Sequence, residues 1–203
     1  GGLKDLQKGL IITPLDPDET FCDDPLRMLR AVRFAAQLQY EVASTTLESI
    51  SQNIKRLEIV SWERIRDEII KSLKADKPSI AFYLMKETGL LAHVFPELDI
   101  MSGVDVIDGK GHKDVFIHTL QVVDNAAKLT PNMAVRFAAL VHDIAKPRTK
   151  HFDKKKGWTF HGHDEIGQRM LIKVAQRMKL SNHLRDFLML LTKLHLRPIA
   201  LAM

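Results

Sequence analysis

The stretch NMAVRFAALVHDIA, from Asn132 to Ala145, decides how this chain is read. Its only charge before His142 and Asp143 is Arg136, so it predicts a mostly enclosed helix with a carboxylate inside it. An ionised Asp143 in that setting costs several kcal/mol unless a cation or strong donors meet it. A divalent metal answers that need. Further imidazoles flank the stretch: His118, His163 and His195 also stand on segments that read as buried helix.

On a helix predicted near Val115 to Leu129, Gln121, Asp124, Asn125 and Lys128 share one polar face, and His118 falls at the edge of the opposite apolar arc near Val122. On a helix predicted over Asn182 to His195, Leu184, Phe187, Leu188, Leu191 and Leu194 form the inward stripe, which His195 continues. His163 precedes Ile166, Gly167 and Met170 at helical steps, in front of a helix predicted over Asp164 to Met178. Taken singly, each histidine reads more readily as a hydrogen-bonded core or surface residue than as a ligand. Together, four histidines and an aspartate aimed at one interior would leave desolvated polar groups without partners unless something central met them. Such donors suit Mn, Ni, Co, Fe, Zn or Mg, and spacing does not choose among these.

The rest of the chain is helical by period as well. Asp24 and Pro25 open a helix running to about Leu38, with Asp24 as N-cap and Pro25 at the first helical position. A second carries Leu47, Ile50, Ile54 and Leu57 behind a capping box from Thr45 to Glu48. Ser61 caps a third with Trp62, Ile65, Ile69 and Leu73 as its stripe, and Pro78 opens a fourth that ends at Gly89. PELDIMSGVDVIDGKGHK, from Pro96 to Lys113, lacks helical period and is rich in Gly and Asp. The expected fold is therefore all-α in two helical domains, residues 1–98 and 99–203. One short β-hairpin is expected around Lys155-Lys156-Gly157.

Composition narrows the class without naming a function. With 45% apolar and 27% charged residues, the 203-residue chain reads as an ordinary globular protein. No run approaches the ~18 apolar residues of a membrane span and no charged-then-apolar leader opens the chain, so a cytoplasmic protein is expected. Cys22 is the one cysteine, which excludes an intrachain disulfide or a thiolate zinc site. A net charge of +5 favours a polyanionic partner, although balanced surface charge explains it equally well. Opening on Gly1-Gly2-Leu3, the chain is expected to be an excised piece of a longer protein.

Arg27, Arg30 and Arg33 step by three residues along the first helix and make a slanting basic stripe. A guanidinium fork suits nucleobase edges or phosphates, but the same spacing fits salt bridges with Asp23, Asp24 or Glu63. Asp24 likewise needs no ligand if it only caps the helix.

The order of FIHTLQVV, LVHDIAKPRT, FHGHDEIG and KLHLRP resembles the HD superfamily of metal-dependent phosphohydrolases from about Val115 to Met203. That resemblance implies a metal site made of His118, His142, Asp143, His163 and His195, with Asp143 catalytic. It also implies that Lys146 faces substrate phosphate as a second catalytic residue. The family's final aspartate has no counterpart here, and His161 reads as a loop histidine. DDPLRMLRAVRFAAQL resembles the nucleotide-selecting helix of bacterial CCA-adding tRNA nucleotidyltransferases and their poly(A) polymerase relatives. GGLKDLQKGLIITPLDPDETF, SWERIRDEIIKSL and ETGLLAHVFPEL extend that similarity through a neck region.

This second resemblance implies that Asp24 and Arg27 pair with the base edge of CTP or ATP, and that Arg30 and Arg33 line the same nucleotide site. Glu63 and Arg64 would brace the helix, and Asp23 stands where many members carry glutamate. It further implies tRNA as partner, and a preceding head domain whose carboxylates hold Mg, without which the chain is not expected to polymerise. Whether C, A or all of CCA is added stays open, as does the oligomeric state. Two other functions remain: a phosphodiesterase or phosphatase acting on 2′,3′-cyclic or terminal phosphates, and an RNA-binding module without catalysis.

Overall fold

A computed structural model of the chain describes residues 2–197; the end of the expected second domain, 198–203, lies outside the described residues. The first elements are a short helix α1 (Gly2–Gln7), a strand β1 (Leu10–Ile11) and α2 (Pro17–Asp23). α3 (Leu26–Leu38) is the hub of the N-terminal half and buries Met28, Leu29, Val32, Ala35 and Ala36. Asp24 is extended and its Oδ1 accepts the Leu26 N–H at 3.2 Å, so the expected cap is present, with Pro25 already in helical φ and ψ. α3 ends at Gln39, whose φ of 55° turns the chain into β2 (Glu41–Val42), parallel to β1.

α4 (Ser44–Asn53) begins one residue before Thr45, and its N-cap, Ala43, makes no side-chain bond. The capping box expected from Thr45 to Glu48 is therefore not formed, because Thr45 already lies inside the first turn. A 3-10 turn (Ile54–Ile59) leads to α5 (Trp62–Leu73), which buries Ile65, Ile69 and Leu73 as its period required. α6 (Ser79–Glu87) stops before Gly89, which reverses the chain at φ 81° into α7 (Leu90–Val94) and α8 (Pro96–Asp99).

The stretch after Pro96 is more structured than its composition suggested. It holds α8 and a hairpin of β3 (Val106–Ile107) with β4 (Lys110–Gly111), a second hairpin beyond the one expected around Lys155-Lys156-Gly157. Beyond it, α9 (Val115–Leu129) starts at Asp114, whose Oδ1 accepts the Ile117 N–H and whose Oδ2 accepts that of Gly103. α10 (Met133–Val141) and the single turn α11 (Lys146–Thr149) follow. The expected hairpin comes next as β5 (His151–Asp153) with β6 (Gly157–Thr159), and α12 (His163–Arg177) and α13 (Asn182–Leu194) close the described chain. The all-α expectation holds, since strands appear only as short pairs.

One set of buried side chains runs from Phe21 to Leu188 through both halves. Polar bonds cross with it. Arg136 is buried and donates to the carbonyls of Leu73 and Ala75, both at 2.9 Å, tying α10 to the end of α5. Asp124 of α9 accepts from Ser79 N–H and hydroxyl, and Arg177 of α12 grips Glu97 with two bonds of 2.8 and 2.6 Å. Among the described residues, no helix is long and apolar enough to cross a membrane.

Candidate metal centre and nucleotide-facing helix

α10 ends at Val141, and His142 and Asp143 stand in the turn that follows, over the fully buried Ile144 and Ala145. Asp143 is 1% exposed. The imidazoles converge on it from their separate elements. His142 Nε2 lies 3.1 Å and His118 Nε2 4.0 Å from Oδ2, while His163 Nε2 lies 3.4 Å and His195 Nε2 3.6 Å from Oδ1. Lys146 Nζ reaches within 2.7 Å of Oδ2, yet neither carboxylate oxygen receives a hydrogen bond of good geometry.

Backbone carbonyls set the tautomers. The Nδ1–H groups of His142, His163 and His195 donate to the carbonyls of Ala139, Phe160 and Thr192 at 2.8, 2.6 and 2.6 Å. A carbonyl can only accept, so each Nδ1 carries the hydrogen and each neutral ring turns a bare Nε2 lone pair toward Asp143. Metal-ligating histidines are held in just this way, by a bond from the other ring nitrogen. His163 and His195 bring their Nε2 atoms to 3.2 Å, where two lone pairs repel unless a cation or a proton intervenes.

Charge and burial pull in opposite directions here. Burial pushes the Asp143 carboxyl up, but in their imidazolium form, in which Nε2 carries a hydrogen and donates, the His142, His163 and His195 rings outweigh it and hold the group far below the usual carboxylate range. Burial lowers the His195 pKa, and its contacts with Asp143 and the Thr192 carbonyl more than reverse this, so the net shift is upward. For His118, burial lowers the pKa and Asp143 only partly opposes it. The donor set therefore fits a divalent ion: a buried carboxylate whose oxygens accept no hydrogen bond of good geometry, with the Lys146 ammonium beside one of them, ringed by imidazole nitrogens. His118 is the loosest member, with 43% of its side chain exposed.

A cavity of about 560 Å³ opens beside this cluster. His118, His142, Asp143, Lys146 and His195 form its polar end, and Val122, Val135 and Leu191 stand among its apolar walls. Two supporting residues escaped sequence reasoning. A Cβ on Gly167 would lie 2.9 Å from Thr192 Cγ2, so the bare glycine lets α12 and α13 approach closely enough to bring His163 to His195. The signal was present: a glycine one helical turn after a candidate ligand. His161 is exposed in the loop before α12, as expected.

The arginine stripe divides. Arg33 turns inward, where its Nε donates to Glu68 at 2.6 Å, its Nη1 donates to Gln37 at 2.6 Å, and its guanidinium lies 4.0 Å over the Phe34 ring. Asp24 pairs with Arg64 at 3.1 Å, which joins α3 to α5. Arg27 donates to the Thr20 carbonyl at 3.2 Å and reaches Asp23 only at 3.8 Å. Arg27 and Arg30 line a cavity of about 200 Å³ together with Thr46, whose buried hydroxyl has no partner. Asp24, Arg27 and Arg30 thus share one end of α3, and Arg33 serves the core.

Residues 115–201 match the family model of the HD domain, and residues 39–101 match the family described as "Probable RNA and SrmB- binding site of polymerase A". Two successive parts of the chain thus resemble, in order, a polymerase A family region and an HD domain. The chain is homologous to the multifunctional CCA proteins. That of Nitrosomonas europaea is 33% identical over all of this chain and 50% of its own length, and that of Psychromonas ingrahamii is 35% identical over 96% of this chain and 47% of its own. The chain spans about half the length of these relatives. The same fold occurs in a Thermotoga maritima CCA-adding enzyme complexed with tRNA (TM-score 0.60, 20% identity, 99% of this chain and 42% of that one). It also occurs in an apo CCA-adding enzyme (TM-score 0.59, 20% identity, 99% and 41%).

Proposed function

We propose that this chain is part of a tRNA nucleotidyltransferase that adds C, A or both to tRNA 3′ ends, and that its C-terminal half hydrolyses phosphoesters at a divalent metal. In this reading residues 1–98 are the nucleotide-selecting, RNA-binding neck and residues 99–203 the HD domain. The convergence of four imidazole Nε2 atoms on the buried carboxylate of Asp143 carries the hydrolytic part.

His118, His142, Asp143, His163 and His195 would hold the ion, which when bound polarises phosphate oxygens and lowers the pKa of a water. The remaining work falls to the chain. The Ala139, Phe160 and Thr192 carbonyls fix the ring orientations before any substrate arrives. Lys146 places its ammonium at the polar end of the cavity, where it can meet a phosphate oxygen as a point charge. The apolar walls opposite favour a flat, weakly hydrated group such as a nucleobase beside the phosphate.

At the neck, Asp24 offers a carboxylate acceptor and Arg27 a guanidinium donor, a pair able to select the Watson–Crick edge of CTP or ATP. Arg64 holds Asp24 in place for this role. Arg30 extends the site, and Arg33 supports it from within the core through Glu68.

The test is elemental analysis of the purified chain after incubation with Mn or Ni, followed by a 2′,3′-cyclic AMP phosphodiesterase assay. One bound ion per chain and metal-dependent turnover are expected. No metal and no turnover would leave the HD half as a folding or RNA-binding unit.

A further inference from the structure

Asp24 and Arg27 stand at a junction between two helices. α2 ends at Asp23, Asp24 is extended at φ −142° and ψ 99°, and α3 begins at Leu26. With so short a link, whatever fixes α2 also fixes Asp24 and the start of α3. Arg27 depends on α2 directly as well. Its Nη1–H donates to the Thr20 carbonyl at 3.2 Å, while its contact with the exposed Asp23 is longer, at 3.8 Å. The direction of the Arg27 guanidinium is therefore set by where α2 places a single carbonyl.

We propose that Asp18 and Arg56 are positioning residues for nucleotide selection, because they clamp the two ends of α2 and so aim Arg27 and Asp24. The proposal rests on the nucleotide-selecting reading of α3 above. Asp18 lies in the first turn of α2 and faces α4, where its Oδ1 accepts from the Ser49 hydroxyl at 2.5 Å and from Asn53 Nδ2–H at 2.8 Å. Asn53 also donates to the Ser49 carbonyl at 2.9 Å, so the two donors, one helical turn apart, are held as a unit. At the other end of α2, Arg56 in the 3-10 turn donates Nη2–H to the Cys22 carbonyl at 2.9 Å. That carbonyl belongs to the last turn of α2, where the helix itself supplies no donor.

The core alone does not hold α2 in one direction. Of its seven residues only the neighbours Thr20 and Phe21 are buried, which anchors the helix at one point and leaves it free to rock about that point. Polar contacts at both ends remove this freedom. A displacement of about 1 Å at the Thr20 carbonyl would take the bond from Arg27 out of hydrogen-bonding range. Asp18 and Arg56 are themselves exposed at the surface, and neither bonds to Asp24 or Arg27, so each acts on the base-reading pair only through α2. A role limited to stability makes a different prediction: melting temperature falls, and affinities for all nucleotides fall together.

The experiment titrates CTP and UTP into the whole chain and into its Asp18→Ala, Asp18→Asn and Arg56→Ala variants. The two nucleotides differ in the donors and acceptors of the base edge, which is what Asp24 and Arg27 would read. The parent is expected to favour CTP. Asp18→Ala and Arg56→Ala should each reduce that preference by about fivefold, the effect of losing one hydrogen bond of ordinary strength. Asp18→Asn keeps an oxygen that can accept from Ser49 and Asn53, and should retain most of the preference. An unchanged CTP-to-UTP ratio in both alanine variants overturns the clamp, even if melting temperature or overall affinity drops. If Asp18→Ala fails to fold, the ratio in Arg56→Ala decides. A parent that binds CTP and UTP equally would instead remove the nucleotide-selecting reading of α3, and the clamp with it.

Discussion

His163 and His195 meet Nε2 to Nε2 at 3.2 Å although they stand at the start of α12 and just past the end of α13. Neither helix alone could place its histidine. The approach depends on Gly167 and Thr192, which touch where the two helices pack, and on the Phe160 and Thr192 carbonyls that orient the rings.

Gly167→Ala should therefore destabilise the protein even though alanine is the better helix former by about 1 kcal/mol. The added methyl meets a β-branched side chain that cannot rotate away, and overpacking of this kind costs about 1–3 kcal/mol. A net loss of 1 kcal/mol lowers Tm by about 2–4 °C in a chain of this size. Adding Thr192→Ser removes the opposing methyl and should restore Tm; thermal melts of the single and double variants check it.

The arginines of α3 should separate by role. Arg33→Ala leaves Glu68, 3% exposed, with only Lys71 beside it, and is expected to cost about 3 kcal/mol. Arg27→Ala and Arg30→Ala lose partly exposed contacts and should stay within about 0.5 kcal/mol of the parent. If α3 selects nucleotides, those two variants instead weaken CTP and ATP binding. Urea melts and nucleotide titration of the three variants distinguish support from contact.

The Glu97 and Arg177 pair predicts a dependence on acid. Burial raises the Glu97 pKa, but bonding to Arg177 outweighs it and sets the folded value below the ordinary 4.5. A depressed carboxyl pKa stabilises the fold fully above 4.5, and this contribution is lost as pH falls through the folded value. Glu97→Gln should thus cost about 1–3 kcal/mol at pH 7, and the gap to the parent should close as the medium becomes acidic. Tm measured for both proteins from neutral pH downward tests the sign.

Much of this was legible in the sequence because period and burial agree. Of the NMAVRFAALVHDIA stretch, Met133–Val141 folds as a helix, while Asp143 stands in the turn beyond its end and not inside it as expected; His118, His142, His163 and His195 do converge on Asp143. Arg33 shows where spacing runs out: three arginines at equal steps cannot reveal that one faces a buried Glu68 from another helix. Helices α7 and α8 were too short for a period to show, and the β3–β4 hairpin is held by contacts with β6 that lie far along the chain. The Thr45 capping motif failed because Ala43 set the start of α4 two residues earlier.

Isothermal titration of the purified chain with Mn or Ni, beside its Asp143→Asn variant, addresses the central claim most directly. The parent should bind one ion per chain, with affinity falling by more than about tenfold when the buried carboxylate becomes an amide. Absence of binding to the parent, or equal affinity in both proteins, would contradict a metal centre built around Asp143.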